Sequence, residues 1–220
     1  MNITEHFLDS SKEIWEQYHK HPFVRGIGEG TLDKEKFRFY IIQDYLYLID
    51  YAKVFSIGAA KAQDLSTMQF FSGYANELFA YETDIHKGYM ERYKITDDDI
   101  KNSRMSQANL SYVSYMIRCA YEGGAAEILA AVLSCGISYE TIARRIVADN
   151  PDSADDPFYG DWIRGYASDE FRGGNEHMKT LIEKFTKDYS DEQIAHLTEI
   201  FVNCSKYELG FWNMAWNMEK

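Results

Sequence analysis

Three residues of this 220-residue chain carry groups that sit awkwardly among their neighbours. Asp44 falls on an aromatic stripe, with Tyr40, Tyr47 and Tyr51 at i−4, i+3 and i+7. A carboxylate there is costly unless it is hydrogen-bonded or paired. It either satisfies a Tyr hydroxyl or an Arg, or it grips the N–H groups of a ligand whose flat face lies on a Tyr ring. Glu208 repeats the situation near the C-terminus, with Cys204, Phe211 and Trp212 at i−4, i+3 and i+4. Burial favours the neutral form of a carboxyl and raises its pKa, which suits a general acid near neutral pH; a solvated Glu at a helix edge is the plainer alternative. Cys135 lies in Leu133-Ser134-Cys135-Gly136-Ile137-Ser138-Tyr139 and shares a helical face with Tyr139, four residues on. Gly136 leaves room beside the thiol for a ligand to approach closely. Such a thiol is either a small core hydrophobe, as Cys119 and Cys204 are expected to be, or a nucleophile. A nucleophile needs a lowered pKa or a neighbouring base, and no His is close in sequence. The polarity of Ser134, Gly136 and Ser138 suggests a wetter turn around the thiol than apolar packing would give.

Helical bundles also host carboxylate di-iron sites, whose signature is two Glu-x-x-His units and two further Glu. Glu16-Gln17-Tyr18-His19 is one such unit. Glu82 with His86, and Glu192 with His196, are spaced as half-sites. With 35 acidic residues in the chain such pairings arise by chance, and solvated charges are the expectation, with no metal. No GxxxxGK[ST] or GxGxxG phosphate loop is present.

These residues need elements to position them, and the chain offers helices. Phe37, Tyr40, Ile41, Asp44, Tyr47, Leu48 and Tyr51 recur at steps of three and four, as do Phe70, Phe71, Tyr74, Leu78 and Tyr81. The same period runs through Tyr112, Tyr115, Met116 and Cys119, through Ile128 to Ile142, and through Ile194 to Trp212. The spacing predicts helices near 2–20, 33–63, 66–93, 106–121, 124–149, 158–187 (broken near 165–168) and 191–217, with loops at 95–104 and 149–156. Pro22 ends the first helix, Pro157 opens a first turn, and Ser190-Asp191-Glu192-Gln193 reads as a capping box. No alternating β-branched run is bounded by turn pairs. With 3 Pro and no Gly/Ser-rich linker, residues 1–220 read as one all-α domain.

Composition narrows the function. Hydrophobic residues make up 45% and aromatics 15%, which excludes a disordered chain, and the 17 Tyr and 13 Phe suit a pocket for something flat. A net charge of −12 argues against nucleic acid or an anionic membrane as the main partner. Met1 to Ser10 has no basic region followed by an apolar one, so no signal peptide is expected. The apolar runs are far short of the roughly 20 residues of a membrane helix. The 3 Cys, without a CxxC, read as free thiols in a reducing cytoplasm.

Together these segments resemble the TenA / thiaminase II family of aminopyrimidine aminohydrolases. The likeness is carried by Gln43-Asp44-Tyr45-Leu46-Tyr47, Tyr112-x-x-Tyr115-Met116, Leu133-Ser134-Cys135-x-x-x-Tyr139, Tyr159-Gly160-Asp161-Trp162-Ile163-x-x-Tyr166-x-Ser168-x-x-Phe171 and Glu208-x-x-Phe211-Trp212. The resemblance implies a haem-oxygenase-like all-α bundle, assembled as a homotetramer and needing no cofactor. It implies Cys135 as nucleophile and Glu208 as acid/base, Asp44 on the pyrimidine's ring nitrogen and exocyclic amine, and Tyr47, Tyr112, Tyr139 and Tyr166 around the pocket. The reaction implied converts 4-amino-5-aminomethyl-2-methylpyrimidine to the 5-hydroxymethyl compound and ammonia, a step of thiamin salvage, with thiamin as a second substrate. Members often carry Pro before the Cys and Trp two residues after it; Ser134 and Ile137 stand there in this chain. Two other readings share the scaffold: a metal-dependent oxidase using Glu82, His86 and distant carboxylates, and a pyrimidine-binding protein without catalysis.

Overall fold

The computed structural model describes residues 2–78 and 83–219, with the backbone alone for 83–85. Tyr81 and Glu82 lie outside the described residues. Among those residues there is no strand. The helices are α1 (Ile3–Lys20), α2 (Pro22–Gly28), α3 (Lys34–Lys61), α4 (Leu65–Glu77), α5 (Thr83–Tyr93), α6 (Asp97–Asn102), α7 (Gln107–Glu122), α8 (Ala125–Asp149), α9 (Gly160–Ala167), α10 (Asp169–Phe185) and α11 (Asp191–Asn217), with a 3-10 turn at Pro151–Asp155.

α8 is the axis of the bundle. Ile128 through Leu133 are all fully buried, because α3, α7, α9, α10 and α11 surround it. It is the one described helix long and apolar enough to cross a membrane, and most of it is covered by its neighbours. α11 and α3 pack against α8 and bring Glu208 and Asp44 to the same interior as Cys135. The expected capping box is present at α11, where Ser190 and Gln193 exchange side-chain bonds with each other's backbone N–H. α9 and α10 part at Ser168, whose extended backbone (ψ 153°) leaves one helix while its hydroxyl caps the next.

Several expected boundaries differ. Pro22 stops α1 but also occupies the first position of α2, where its missing N–H is no loss. The expected 95–104 loop contains α6, capped by a Thr96–Asp99 box. Pro157 lies in the turn preceding α9 rather than in its first helical turn, and the 149–156 loop holds the 3-10 turn. The helix expected over 66–93 covers α4 and α5, with 79–82 between them outside the described residues.

α3 and α4 approach so closely at Gly58 that a Cβ there would meet the Phe71 ring at 2.7 Å. Phe71 is fully buried and cannot swing away. Gly58→Ala is therefore expected to cost about 1–3 kcal/mol of stability, the usual price of overpacking a core, and a urea melt measures it. An unchanged midpoint would show that this helix pair can slide apart freely.

Candidate active site

Asp44 is buried on α3 and is held by three donors. Tyr40, one turn earlier, donates its hydroxyl to Oδ2 at 3.1 Å. His86 of α5 places Nε2 2.8 Å from the same oxygen, and next to a carboxylate that nitrogen carries the proton. Tyr139 Oη lies 3.5 Å from Oδ1. Behind them Trp162 donates its indole N–H to Tyr40 at 3.1 Å. This network explains how a carboxylate survives on an aromatic stripe. Because Oδ2 is taken twice, Oδ1 is the oxygen with capacity left for a ligand.

Asp44 and Cys135 line one cavity, together with Tyr47, Tyr51, Tyr139, Tyr166 and Phe171. The space is about 20 Å³, room for a water and not for an aromatic ring. A pyrimidine therefore enters by displacing part of this wall, which is built of rings in contact: Tyr139 with Tyr166 at 4.7 Å and Tyr166 with Phe171 at 5.1 Å. A larger cavity of about 310 Å³, between α2 and α8, is lined by His19 of the Glu16–His19 unit but not by Asp44, Cys135 or Glu208. Its charges are spent on each other or on Glu16: Arg145 pairs with Glu16 and Asp149, and Arg25 with Glu29.

Cys135 is half-buried, whereas Cys204 and Cys119 are buried and have their thiol pKa values pushed up by that burial. Glu208 is 1% exposed. Burial pushes its carboxyl up to about 8, the nearby Asp44 charge adds to the shift, and Tyr112 partly opposes it. Tyr112 Oη nonetheless makes no hydrogen bond of good geometry. Tyr112 does not line the cavity. It sits behind Tyr47, with ring centroids 5.3 Å apart, and stacks on Tyr207. Tyr47 and Tyr139 each lie within electrostatic reach of both Cys135 and Glu208, so nucleophile candidate, acid candidate and Asp44 occupy one neighbourhood. Burial holds the hydroxyls of Tyr40, Tyr47, Tyr112 and Tyr139 well above the ordinary tyrosine pKa, which keeps them as neutral donors.

One expectation about the Cys135 turn needs correction, while Gly136 does line the cavity beside the thiol. Ser134 and Ser138 are fully buried, and their hydroxyls bond internally, to Ser205 Oγ and to the Cys135 carbonyl. The turn is dry. At Gly136, the neighbour that forbids a side chain is Asn175: a Cβ would meet its Oδ1 at 2.4 Å. Asn175 also donates to the Gly136 carbonyl and to Glu140. Ile137 is packed in the core.

His86 escaped the sequence reading as a partner of Asp44, since 42 residues separate them. No group of three or more His, Cys, Asp or Glu suited to a metal occurs among the described residues, and Glu82 lies outside them.

Against known proteins, the family model described as "TENA/THI-4/PQQC family" matches residues 8–218. A relative from Helicobacter pylori named "Aminopyrimidine aminohydrolase" is 42% identical, over 98% of this chain and 99% of its own. Among solved structures, the TenA homologue protein from P. horikoshii OT3 superimposes with a TM-score of 0.88 at 28% identity, covering 99% of both chains. A domain from Shewanella denitrificans described as having a heme oxygenase-like fold matches with a TM-score of 0.77 at 12% identity, over 99% of this chain and 93% of its own; it speaks for the fold alone.

Proposed function

The chain belongs to the TENA/THI-4/PQQC family, and from that premise we propose that it is an aminopyrimidine aminohydrolase of thiamin salvage. It converts 4-amino-5-aminomethyl-2-methylpyrimidine and water to the 5-hydroxymethyl compound and ammonia, and cleaves thiamin to its pyrimidine and thiazole halves. The observation that carries this reading is the joint placement of Asp44 and Cys135 in one ring-lined cavity, beside a buried Glu208 whose pKa of about 8 keeps it protonated near neutrality.

The chemistry follows from these groups. The methylene–nitrogen bond breaks poorly by direct displacement. The Cys135 thiolate adds to the ring carbon beside the substituted one, and the ring's electron pairs then expel the amine and leave an exocyclic methylene. Glu208 supplies the proton that the departing or ring nitrogen needs. Water adds to the methylene and returns a proton to Glu208, and the thiolate leaves, restoring the aromatic ring. Asp44 Oδ1 accepts from the aminopyrimidine edge and fixes the ring between Tyr faces. The residues need no metal or organic cofactor for these steps. In the cell the enzyme is read as cytoplasmic. As a homotetramer it would cover the exposed apolar side chains of α7, among them Leu110 and Tyr121.

The test is turnover of the aminomethyl pyrimidine and of thiamin by wild type and by Asp44→Ala, with Asp44→Asn as the folding control. Wild type is expected to release ammonia and the hydroxymethyl product one for one. Asp44→Ala is expected to raise KM by about tenfold or more and to lower kcat as well, because orientation and ring activation are lost together. An unchanged KM would remove Asp44 from the binding site. No turnover of either compound by wild type would leave the family membership as fold alone.

A further inference from the structure

Ser205 is the meeting point of three helices. It is fully buried on α11, one turn before Glu208. Its Oγ accepts the indole N–H of Trp15 at 3.0 Å and lies 3.0 Å from Ser134 Oγ, and its carbonyl accepts the Tyr18 hydroxyl at 2.5 Å. Ser134, also fully buried, directly precedes Cys135 on α8. An indole N–H can only donate, so Ser205 Oγ accepts from Trp15 and shares its remaining capacity with Ser134. Tyr18 lies within electrostatic reach of both Glu208 and Cys135, which places the cluster next to both.

We propose that this Ser205-centred hub sets the separation of Cys135 and Glu208, making Ser134, Ser205, Trp15 and Tyr18 positioning residues for the reaction. The proposal rests on the reading of Cys135 and Glu208 given above. One arm of the hub joins the helix turn carrying the thiol to the turn carrying the carboxyl. The other two tie that junction to α1, whose Trp15 and Phe7 pack on Phe201 of α11. Losing Ser205 Oγ would leave a buried indole N–H and a buried hydroxyl without partners, so the helices would be expected to shift to recover them.

The experiment compares wild type, Ser205→Ala, Ser134→Ala and Trp15→Phe. Trp15→Phe removes the indole donor while keeping an aromatic ring against Phe201, and Ser134→Ala breaks the hub from the α8 side, so the three variants perturb the core differently. Three quantities are read: kcat and KM for the aminomethyl pyrimidine, the rate of Cys135 alkylation by iodoacetamide followed peptide by peptide, and the melting temperature. Each variant is expected to lose about tenfold in kcat with KM within about twofold, since small misplacements of reacting groups cost rate before affinity. Each is also expected to change the Cys135 alkylation rate by roughly threefold or more. If kcat and alkylation stay at wild-type values while only the melting temperature falls, the hub is structural and the proposal is overturned. If wild type does not turn over the pyrimidine, the functional reading fails, and alkylation alone decides whether the hub governs the thiol's surroundings.

Discussion

Glu208→Gln lowers kcat by about 10²–10⁴, the usual worth of a positioned acid or base, while leaving the fold intact. The amide has the shape of the carboxylic acid that Glu208 is at neutral pH, but its N–H protons are too weakly acidic to be transferred. The pH dependence separates this from a packing effect. With the carboxyl near 8 in the free protein, wild-type kcat/KM is expected to fall as pH rises through that value, and the variant's residual rate is expected to lack that limb. Stability moves in the opposite sense. Between its ordinary value of 4.5 and about 8, the native protein holds a proton on Glu208 that the unfolded chain has released. The unfolded state therefore binds fewer protons, and wild-type stability falls with rising pH across that window. Gln carries no such penalty, so from pH 5 to pH 9 the variant gains on wild type, on the order of a few kcal/mol. A variant with wild-type kcat would mean that another group donates the proton, with Asp44 the nearest candidate.

Cys135→Ser is expected to abolish turnover, a loss on the order of 10³-fold or more as for other lost nucleophiles, while pyrimidine binding survives. The hydroxyl is close to isosteric, so the cavity that holds Asp44 keeps its shape. A serine hydroxyl, however, is scarcely ionised at neutral pH and is a much weaker nucleophile than a thiolate. The other two thiols cannot substitute, because Cys119 and Cys204 are buried and burial disfavours their thiolates.

Much of this arrangement was legible in the sequence because the period that marks a helix face also marks the core. Of the stripe Phe37, Tyr40, Ile41, Asp44, Tyr47, Leu48 and Tyr51, all but the half-buried Leu48 are buried. Seven residues, as in α2, are too few for a period to show, and Pro22 carries two opposite meanings at a helix boundary. α6 did leave a sign, the Thr96–Asp99 box, hidden within an acidic run that reads as loop. What the sequence withholds is what crosses between helices. Nothing local couples His86 to Asp44, or Ser134 to Ser205, 71 residues away. For the same reason the serines flanking Cys135 looked wet: hydroxyls satisfied by a crossing helix and by the helix's own carbonyl have the composition of a solvated turn. Tyr112 shows the reverse limit, since its stripe places it in the core but not on the side of Tyr47 that faces the cavity.

The most direct measurement is ammonia and hydroxymethyl pyrimidine released from the aminomethyl pyrimidine by wild type and Cys135→Ser in one chelator-treated buffer, with pyrimidine binding to both confirmed by calorimetry. The account predicts equal amounts of the two products from wild type, none above background from the variant, and comparable binding. Turnover by the variant at the wild-type rate would contradict it, because the thiol would then have no covalent part in the reaction.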